Sequence, residues 1–478
     1  MAHERSVMMG QQVVRTVLVI AATVFLASLF GILTRPVGYL AAIWPANAIL
    51  LGLMVRRPEF ASAWGWGAAF AGYIAADLVT GGRLGITLWL TAANLAGVLA
   101  GYLCFRRLAA DHRALRRPIS VLYLFAVCVA SAVAAALVGG WMSKQLFAAD
   151  FIHGLELWFT SELVNTLVVL PMILTFPPRD AWRWPRLGFG RADLEHAAPA
   201  LALLLSCMAS GLIGGPGALA YPVPALLWCA LTYGRFTTAA ATAAVSAFLL
   251  VLVTGAVGPQ VEAFAAINST SSTRLGIALM ALGPLTVASV NSARNEVLAS
   301  LSLAVNHDGM TGVLSRRAFM RISRAILAKA ARHRRSVTLL MFDIDNFKQI
   351  NDGHGHQVGD EVLIMVAKVL DRELGAHGRL ARIGGEEFAV VVADLSAESA
   401  LALAERLRAA VEAAPQGEGA VVPFPISTCV GVSHMLVAPD GDPDHGLSLM
   451  LGLADGALYR AKSAGRNSVV SAAQAAIA

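Results

Sequence analysis

The sequence predicts a polytopic α-helical membrane bundle followed by a separate α+β domain. Three observations carry that prediction. Long uncharged runs fill the chain up to about residue 295, while Asp, Glu, Lys and Arg crowd the remainder. The arginines of the first part gather in short loops between apolar runs. After them, short apolar runs bounded by turn signals alternate with helical stretches over about 170 residues. With 57% hydrophobic and 14% charged residues among 478, much of the chain belongs in lipid. The net charge of +6 would suit nucleic acid, but its arginines mark membrane topology, so no nucleic-acid partner is expected. Cys104, Cys128, Cys207, Cys229 and Cys429 have no metal-ligand spacing, which argues against a zinc site or a disulfide framework.

A membrane-crossing helix needs about 20 largely apolar residues. Ten stretches within 13–295 qualify: 13–34, 37–55, 60–79, 84–105, 119–140, 155–176, 197–215, 217–233, 236–257 and 275–293. Only Gly214, Gly215 and Pro216 separate the seventh from the eighth, so eight spans is the other count, and either is even. With the N-terminus inside, the inner loops hold Arg56 and Arg57; Arg106, Arg107, Arg113, Arg116 and Arg117; Arg179, Arg183, Arg186 and Arg191; and Arg235. The outer loops hold only Arg35, Arg83, Lys144 and Arg274. This imbalance predicts a multi-pass membrane protein with a cytoplasmic C-terminal domain. The first apolar run is too long for a signal-peptide core and reads as retained.

Asn47, Asp77, Asn94, Glu162 and Asn165 are polar residues within these spans, and the topology puts Asp77 and Glu162 toward the outer leaflet. They read either as interhelical hydrogen bonding or as a ligand cavity open to the outside. The segment Trp44-Pro45-Ala46-Asn47-Ala48, followed by Ile49-Leu50-Leu51, resembles the start of the membrane-associated sensor (MASE, first type) region of bacterial receptors. That resemblance implies a sensory input with an unknown ligand. A transporter is the competing reading, but no internal repeat is visible. Residues 296–307 read as a signalling-helix linker, with Val297, Leu301 and Ala304 at heptad-like spacing, either coiled with a twin or simply amphipathic.

The second domain, 308–472, opens on Asp308-Gly309-Met310-Thr311-Gly312. A helix, a strand at 336–345, a helix near 359–374, strands flanking Gly384-Gly385, a helix at 397–413, a strand near 424–434 and a helix near 449–463 come next. Arg382-Ile383-Gly384-Gly385-Glu386-Glu387-Phe388 reads as a tight hairpin whose glycines take positive φ and throw carboxylates to the sheet edge; a hairpin with merely solvated acids would look similar. In Phe342-Asp343-Ile344-Asp345-Asn346-Phe347-Lys348 a strand runs into two acids, and the two-residue period puts Asp343 and Asp345 on one face. Acids gathered at a sheet edge repel unless a hard cation neutralises them. In Asn351-Asp352-Gly353-His354-Gly355-His356-Gln357-Val358-Gly359-Asp360-Glu361, Asp360 could accept from paired donors of a ligand or merely cap a helix. Tyr459-Arg460-Ala461-Lys462-Ser463-Ala464-Gly465-Arg466-Asn467 closes the domain, with bases that suit phosphates or a helix dipole.

Taken in order, these blocks resemble the GGDEF family of diguanylate cyclases. The resemblance implies a ferredoxin-like nucleotide-cyclase palm that condenses two GTP into cyclic di-GMP and two pyrophosphates, as a homodimer in which each domain holds one GTP. It implies Mg²⁺, two per GTP with Mn²⁺ a possible substitute, held by Asp343, the carbonyl of Ile344 and Glu386. Asp343, Glu386 and Glu387 form the catalytic group; Asn351 and Asp360 take the guanine edge; Lys348, Lys462 and Arg466 take phosphates; Phe347 lines the GTP site. A degenerate module that only binds nucleotide is the alternative. Many relatives carry an Arg-x-x-Asp product site just before the hairpin. Here the stretch reads Gly375-Ala376-His377-Gly378-Arg379, so no product-inhibition site is expected.

Overall fold

A computed structural model describes residues 2–34, 41, 43–142, 150–178, 191–256, 263–414, 424–438 and 442–472. Arg35, Lys144, Arg179, Arg183 and Arg186, which bear on the topology, lie outside the described residues. The chain divides into two compact units, Met1–Glu296 and Val297–Ala478.

The first unit is all helical: α1 (Ala2–Leu33), α2 (Ala46–Arg56), α3 (Ala63–Val79), α4 (Leu84–Arg106), α5 (Ser120–Gly139), α6 (Phe151–Thr175), α7 (Arg191–Ile213), α8 (Pro222–Thr232), α9 (Arg235–Ala256) and α10 (Ala263–Asn306). Each expected stretch contains a helix, but the count of eight to ten spans needs correction. Seven described helices are long and apolar enough to cross a membrane, which makes this a multi-pass membrane protein. α2 and α8 have 11 residues each, which at 1.5 Å per residue span roughly 16 Å, about half a hydrocarbon core, and α3, with 17, also falls short of about 20. Hydropathy counts apolar residues and does not register where a helix begins. The central helix is α6, whose buried residues run almost without break from Thr160 to Pro171. The expected short linker at 296–307 is not a separate helix either, because α10 continues without interruption to Asn306.

The second unit is a six-stranded sheet of order β1-β3-β4-β2-β5-β6, with β1 (Leu314–Ser315), β2 (Ser336–Ile344), β3 (Arg379–Arg382), β4 (Glu387–Ala393), β5 (Thr428–Leu436) and β6 (Val469–Ser471). Pairings among β3, β4, β2 and β5 are antiparallel, as expected of this α+β class, and only the short edge strands β1 and β6 pair in parallel. β2 lies between β4 and β5 and is covered on both faces, which explains why it reads as one apolar run rather than an alternation. Leu340, Phe342 and Ile344 pack with α13 (His356–Leu374) and α14 (Ala397–Glu412). Leu339 and Met341 pack with α11 (Arg316–His333) and α15 (Pro443–Ser463). Asp343 belongs to that second face by the two-residue period. β1, β6 and the short helix α12 (Phe347–His354) have no counterpart in the sequence reading, being two, three and eight residues long.

Candidate active site

The β3–β4 hairpin turns over residues 383–386 and is closed by Ile383 N donating to Glu387 O at 2.9 Å. Neither Gly384 nor Gly385 is among the glycines with positive φ, which corrects the turn expected from sequence. Four residues outside the strands make a wider turn than the two-residue type that demands left-handed backbone. Gly384 makes room for a side chain instead: a Cβ there would lie 2.3 Å from Glu387 Oε2, and the carboxylate would have to swing away. Arg382 fastens the turn, with Nε and Nη2 donating to Gly385 O at 3.0 and 2.6 Å and Nη1 pairing with Asp308 Oδ1 at 3.3 Å. Burial pushes the Asp308 carboxyl up, but the hydrogen bonds from Thr311 and Arg382 outweigh it and hold the group below its usual value. The Asp308–Arg382 brace was not foreseen, although both residues stand in the quoted motifs.

The hairpin brings its acids beside the end of β2, where Glu387 stands opposite Asp343 in the ladder. Asp343 is buried, and its Oδ2 is 2.7 Å from Lys462 Nζ on α15. Its pKa is raised, first by desolvation and then by Asp345, against the opposing pull of Lys462 and Arg466. Glu386 is raised as well, by desolvation, then by Asp343 and Glu387, with Lys462 again opposing. The charges of Lys462 and Arg466 thus act on Asp343, and those of Asp343, Glu387 and Lys462 on Glu386. Asp345, on the same face, has a different occupation. It accepts from Ser427 Oγ (2.7 Å), Cys429 Sγ (2.9 Å) and Asn467 N (3.0 Å), which ties the end of β2 to β5 and to the turn carrying Arg466. Arg466 and Asn467 both have positive φ there, at 66° and 45°. Asn467 Nδ2 donates to Glu412 Oε1 at 2.7 Å, so the turn that presents Arg466 is anchored from α14.

Two carboxylates with raised pKa values, Asp343 and Glu386, beside the last carbonyl of β2, are hard oxygen donors of the kind a magnesium ion takes. Among the described residues no group of three or more His, Cys, Asp or Glu side chains could hold a metal, and a set of two carboxylates and one carbonyl lies below that number. The donor set therefore fits a divalent cation that takes its remaining ligands from substrate or water.

A second group forms on α12 and α13. A Cβ on Gly359 would meet Asn351 Oδ1 at 1.9 Å and the Phe347 ring at 3.4 Å, so Gly359 lets these side chains settle against α13 directly beside exposed Asp360. The N-cap of α13 is Gly355, which removes helix capping as the role of Asp360. Lys348 is exposed on α12.

Residues 305–468 match the family described as "Diguanylate cyclase, GGDEF domain". The chain is 30% identical over 458 residues to the probable diguanylate cyclase DgcF of Escherichia coli O157:H7, covering 95% of this chain and 94% of that one. The chain belongs to the GGDEF family of diguanylate cyclases. A probable diguanylate cyclase DgcF of E. coli K12 is 34% identical over 314 residues, 65% of this chain and 95% of its own. Among solved structures, the active GGEEF domain of a Vibrio cholerae diguanylate cyclase is 37% identical, covering 34% of this chain and 98% of that one, with a TM-score of 0.31.

In this GGDEF domain two glycines of the stretch before the hairpin resist replacement, Gly375 through its backbone and Gly378 through its packing. Gly375 has φ 54° and ψ −137°, a backbone state that L residues rarely adopt. A Cβ on Gly378 would lie 2.9 Å from both Leu374 Cδ1 and Val392 Cγ2 and 3.1 Å from Val391 O.

Proposed function

We propose that this chain condenses two GTP into cyclic di-GMP and two pyrophosphates, each domain of a homodimer holding one GTP and facing the other across the new bonds. The observation that carries the reading is the opposition of Asp343 and Glu386 to Lys462 and Arg466 at one sheet edge. Acids that suit a cation and bases that suit a phosphate converge on a space one triphosphate would occupy. Asp343, Glu386 and the Ile344 carbonyl would hold Mg²⁺, which when bound offsets the triphosphate charge and the charge that develops in phosphoryl transfer. Lys462 exchanges its contact with Asp343 for phosphate oxygens, assisted by Arg466 and Lys348. Glu386, with a raised pKa, is suited to hold the proton leaving the attacking 3′-hydroxyl, and Glu387 shapes the turn against Gly384. Asn351 and Asp360 accept from the guanine edge beside Phe347, and adenine, which lacks those donors, would leave the Asp360 carboxylate unpaired.

The domain would be cytoplasmic, below an inner-membrane region similar to the MASE sensors, which would supply control. Support for a homodimer comes from the end of α10, where Val297, Leu298, Leu301, Leu303 and Val305 are all exposed. Leu298, Leu301 and Val305 recur at the 3–4 spacing of a coiled-coil seam. Labelled GTP incubated with full-length protein and Mg²⁺ tests the reading. Cyclic di-GMP and pyrophosphate are the expected products, and rate per protein should fall when residues 297–478 are diluted. Retention of GTP without turnover would instead leave the degenerate nucleotide-binding module.

A further inference from the structure

Among the described residues of the first unit, Arg274 has the most buried donor atoms without a partner. It lies on α10 and is only 5% exposed. Nη2 donates to the carbonyl of Ala41 at 3.3 Å, while Nε and Nη1 have no partner among the described residues. The buried acid Glu162 does not serve it, being bonded to Asn47 Nδ2 at 2.8 Å and to Thr166 Oγ1 at 3.2 Å. Ser271, three residues earlier and on the same helix face, also has a buried hydroxyl without a partner among the described residues. The sequence reading set Arg274 in an outer loop. The helix takes it inside instead, and its charge goes with it, since a guanidinium does not lose its proton in a protein.

A guanidinium withdrawn from water needs an anion or several carbonyls, and intramembrane ionisable residues are retained where they serve a ligand. A single carbonyl satisfies one donor of five. We propose that Arg274, with Ser271 beside it, anchors a buried anion site that takes a carboxylate or phosphate group. Planar oxygen pairs suit the guanidinium fork, and the Ser271 hydroxyl supplies one more donor to the same group. The carbonyl that Arg274 already holds belongs to the short segment ahead of α2. That segment also contains Trp44, whose N donates to Asn165 Oδ1 at 2.7 Å and whose Nε1 donates to Asn47 Oδ1 at 3.2 Å. An anion at Arg274 would therefore sit three residues of chain away from the bundle's main polar cluster.

Full-length protein in dodecyl maltoside micelles, which carry no phosphate, provides the test. Thermal unfolding is followed while succinate or inorganic phosphate is titrated against sodium chloride of matched ionic strength. A second arm adds phosphatidylglycerol or phosphatidylcholine without free anion. A saturable rise in Tm of about 2–8 °C is expected. A rise in the first arm identifies a free anion and one in the second a lipid headgroup. Arg274→Gln should lose the rise, and without ligand it should unfold no lower than the parent. Arg274→Lys should keep the rise with its midpoint at least tenfold higher. No rise in either arm, or an equal rise in Arg274→Gln, overturns the site. If Arg274→Gln does not insert, an unchanged midpoint in Arg274→Lys overturns it. Because unfolding rather than turnover is read, the result is independent of cyclase chemistry.

Discussion

Glu162 in the helical bundle and Asp343 at the end of β2 are both carboxylates with little access to water, and they are satisfied in opposite ways. Glu162 is held by an amide and a hydroxyl, Asn47 and Thr166, and Asn47 is bonded in turn to Asn94, Tyr73 and Trp44. These neutral partners sit on packed helices and fix one arrangement. Asp343 is held by the ammonium of Lys462, whose side chain is 38% exposed against 8% for Asp343. A long, partly solvated base is easily exchanged, and strong ligands, a metal ion for one partner and a phosphate for the other, can replace the pair. Closed networks of neutral groups hold structure, whereas an open edge of opposed charges is ready for substrate.

The sharpest way to break this contrast is at the open edge. Glu386→Gln should lower cyclic di-GMP synthesis on the order of a hundredfold or more while leaving unfolding of the domain nearly unchanged. Near-normal turnover would remove Glu386 from the reaction. Loss of folding would make the edge structural, like the membrane cluster. Acidity probes the same groups. Asp343 and Glu386 both have raised pKa values, so the folded metal-free domain binds their protons more tightly than the unfolded chain does. Their contribution therefore favours the folded state as pH falls through the raised values and is lost as pH climbs above them.

The brace behind the hairpin should respond in the opposite sense to Glu386. Arg382→Ala leaves Gly385 O without its side-chain donor and Asp308 with only its Thr311 bonds, and is expected to cost about 1–3 kcal/mol in urea unfolding of residues 297–478. Activity should be lost only as far as the turn loosens. An unchanged midpoint would show that the Asp308 pair is solvent-screened and idle.

The smallest effects are expected in the bundle, where the two acids grouped by the sequence turn out to be unlike. Asp77 is half-buried and accepts from Thr87 Oγ1 at 2.7 Å, apart from the Glu162 cluster. Glu162→Gln can keep both of its hydrogen bonds if the Thr166 hydroxyl turns to accept, so a loss of roughly 0.6 kcal/mol is expected, and less for Asp77→Asn. A larger loss at Asp77 in thermal unfolding of the full chain would reverse the assignment of which acid belongs to the cluster.

Legibility in the sequence obeys the same division. Asp343, Glu386, Asn351, Asp360, Lys462 and Arg466 stand in short motifs whose spacing survives folding, and strands such as β2 and β4 announced themselves by apolar runs between turn signals. The hairpin was legible but its backbone was not, because Gly384 answers to the reach of Glu387 rather than to φ. Asp345 looked like the twin of Asp343, yet its partners Ser427, Cys429 and Asn467 are 82 to 122 residues away. Such separations leave no local signal. In the bundle, hydropathy located all ten of the helices α1 to α10 but gave neither the shortness of α2 and α8 nor the withdrawal of Arg274 from its loop, since both depend on packing against other helices.

Gly375 and Gly378 bear on what this stretch can become by mutation. An Arg at 375 would have to adopt a backbone state suited to glycine, and an Asp at 378 would have to displace Leu374 and Val392 and press on a carbonyl of β4. Neither change alone creates a binding pair, and each alone strains the approach to the hairpin. An Arg-x-x-Asp pair is thus separated from the present sequence by less stable intermediates, which hinders its acquisition one substitution at a time.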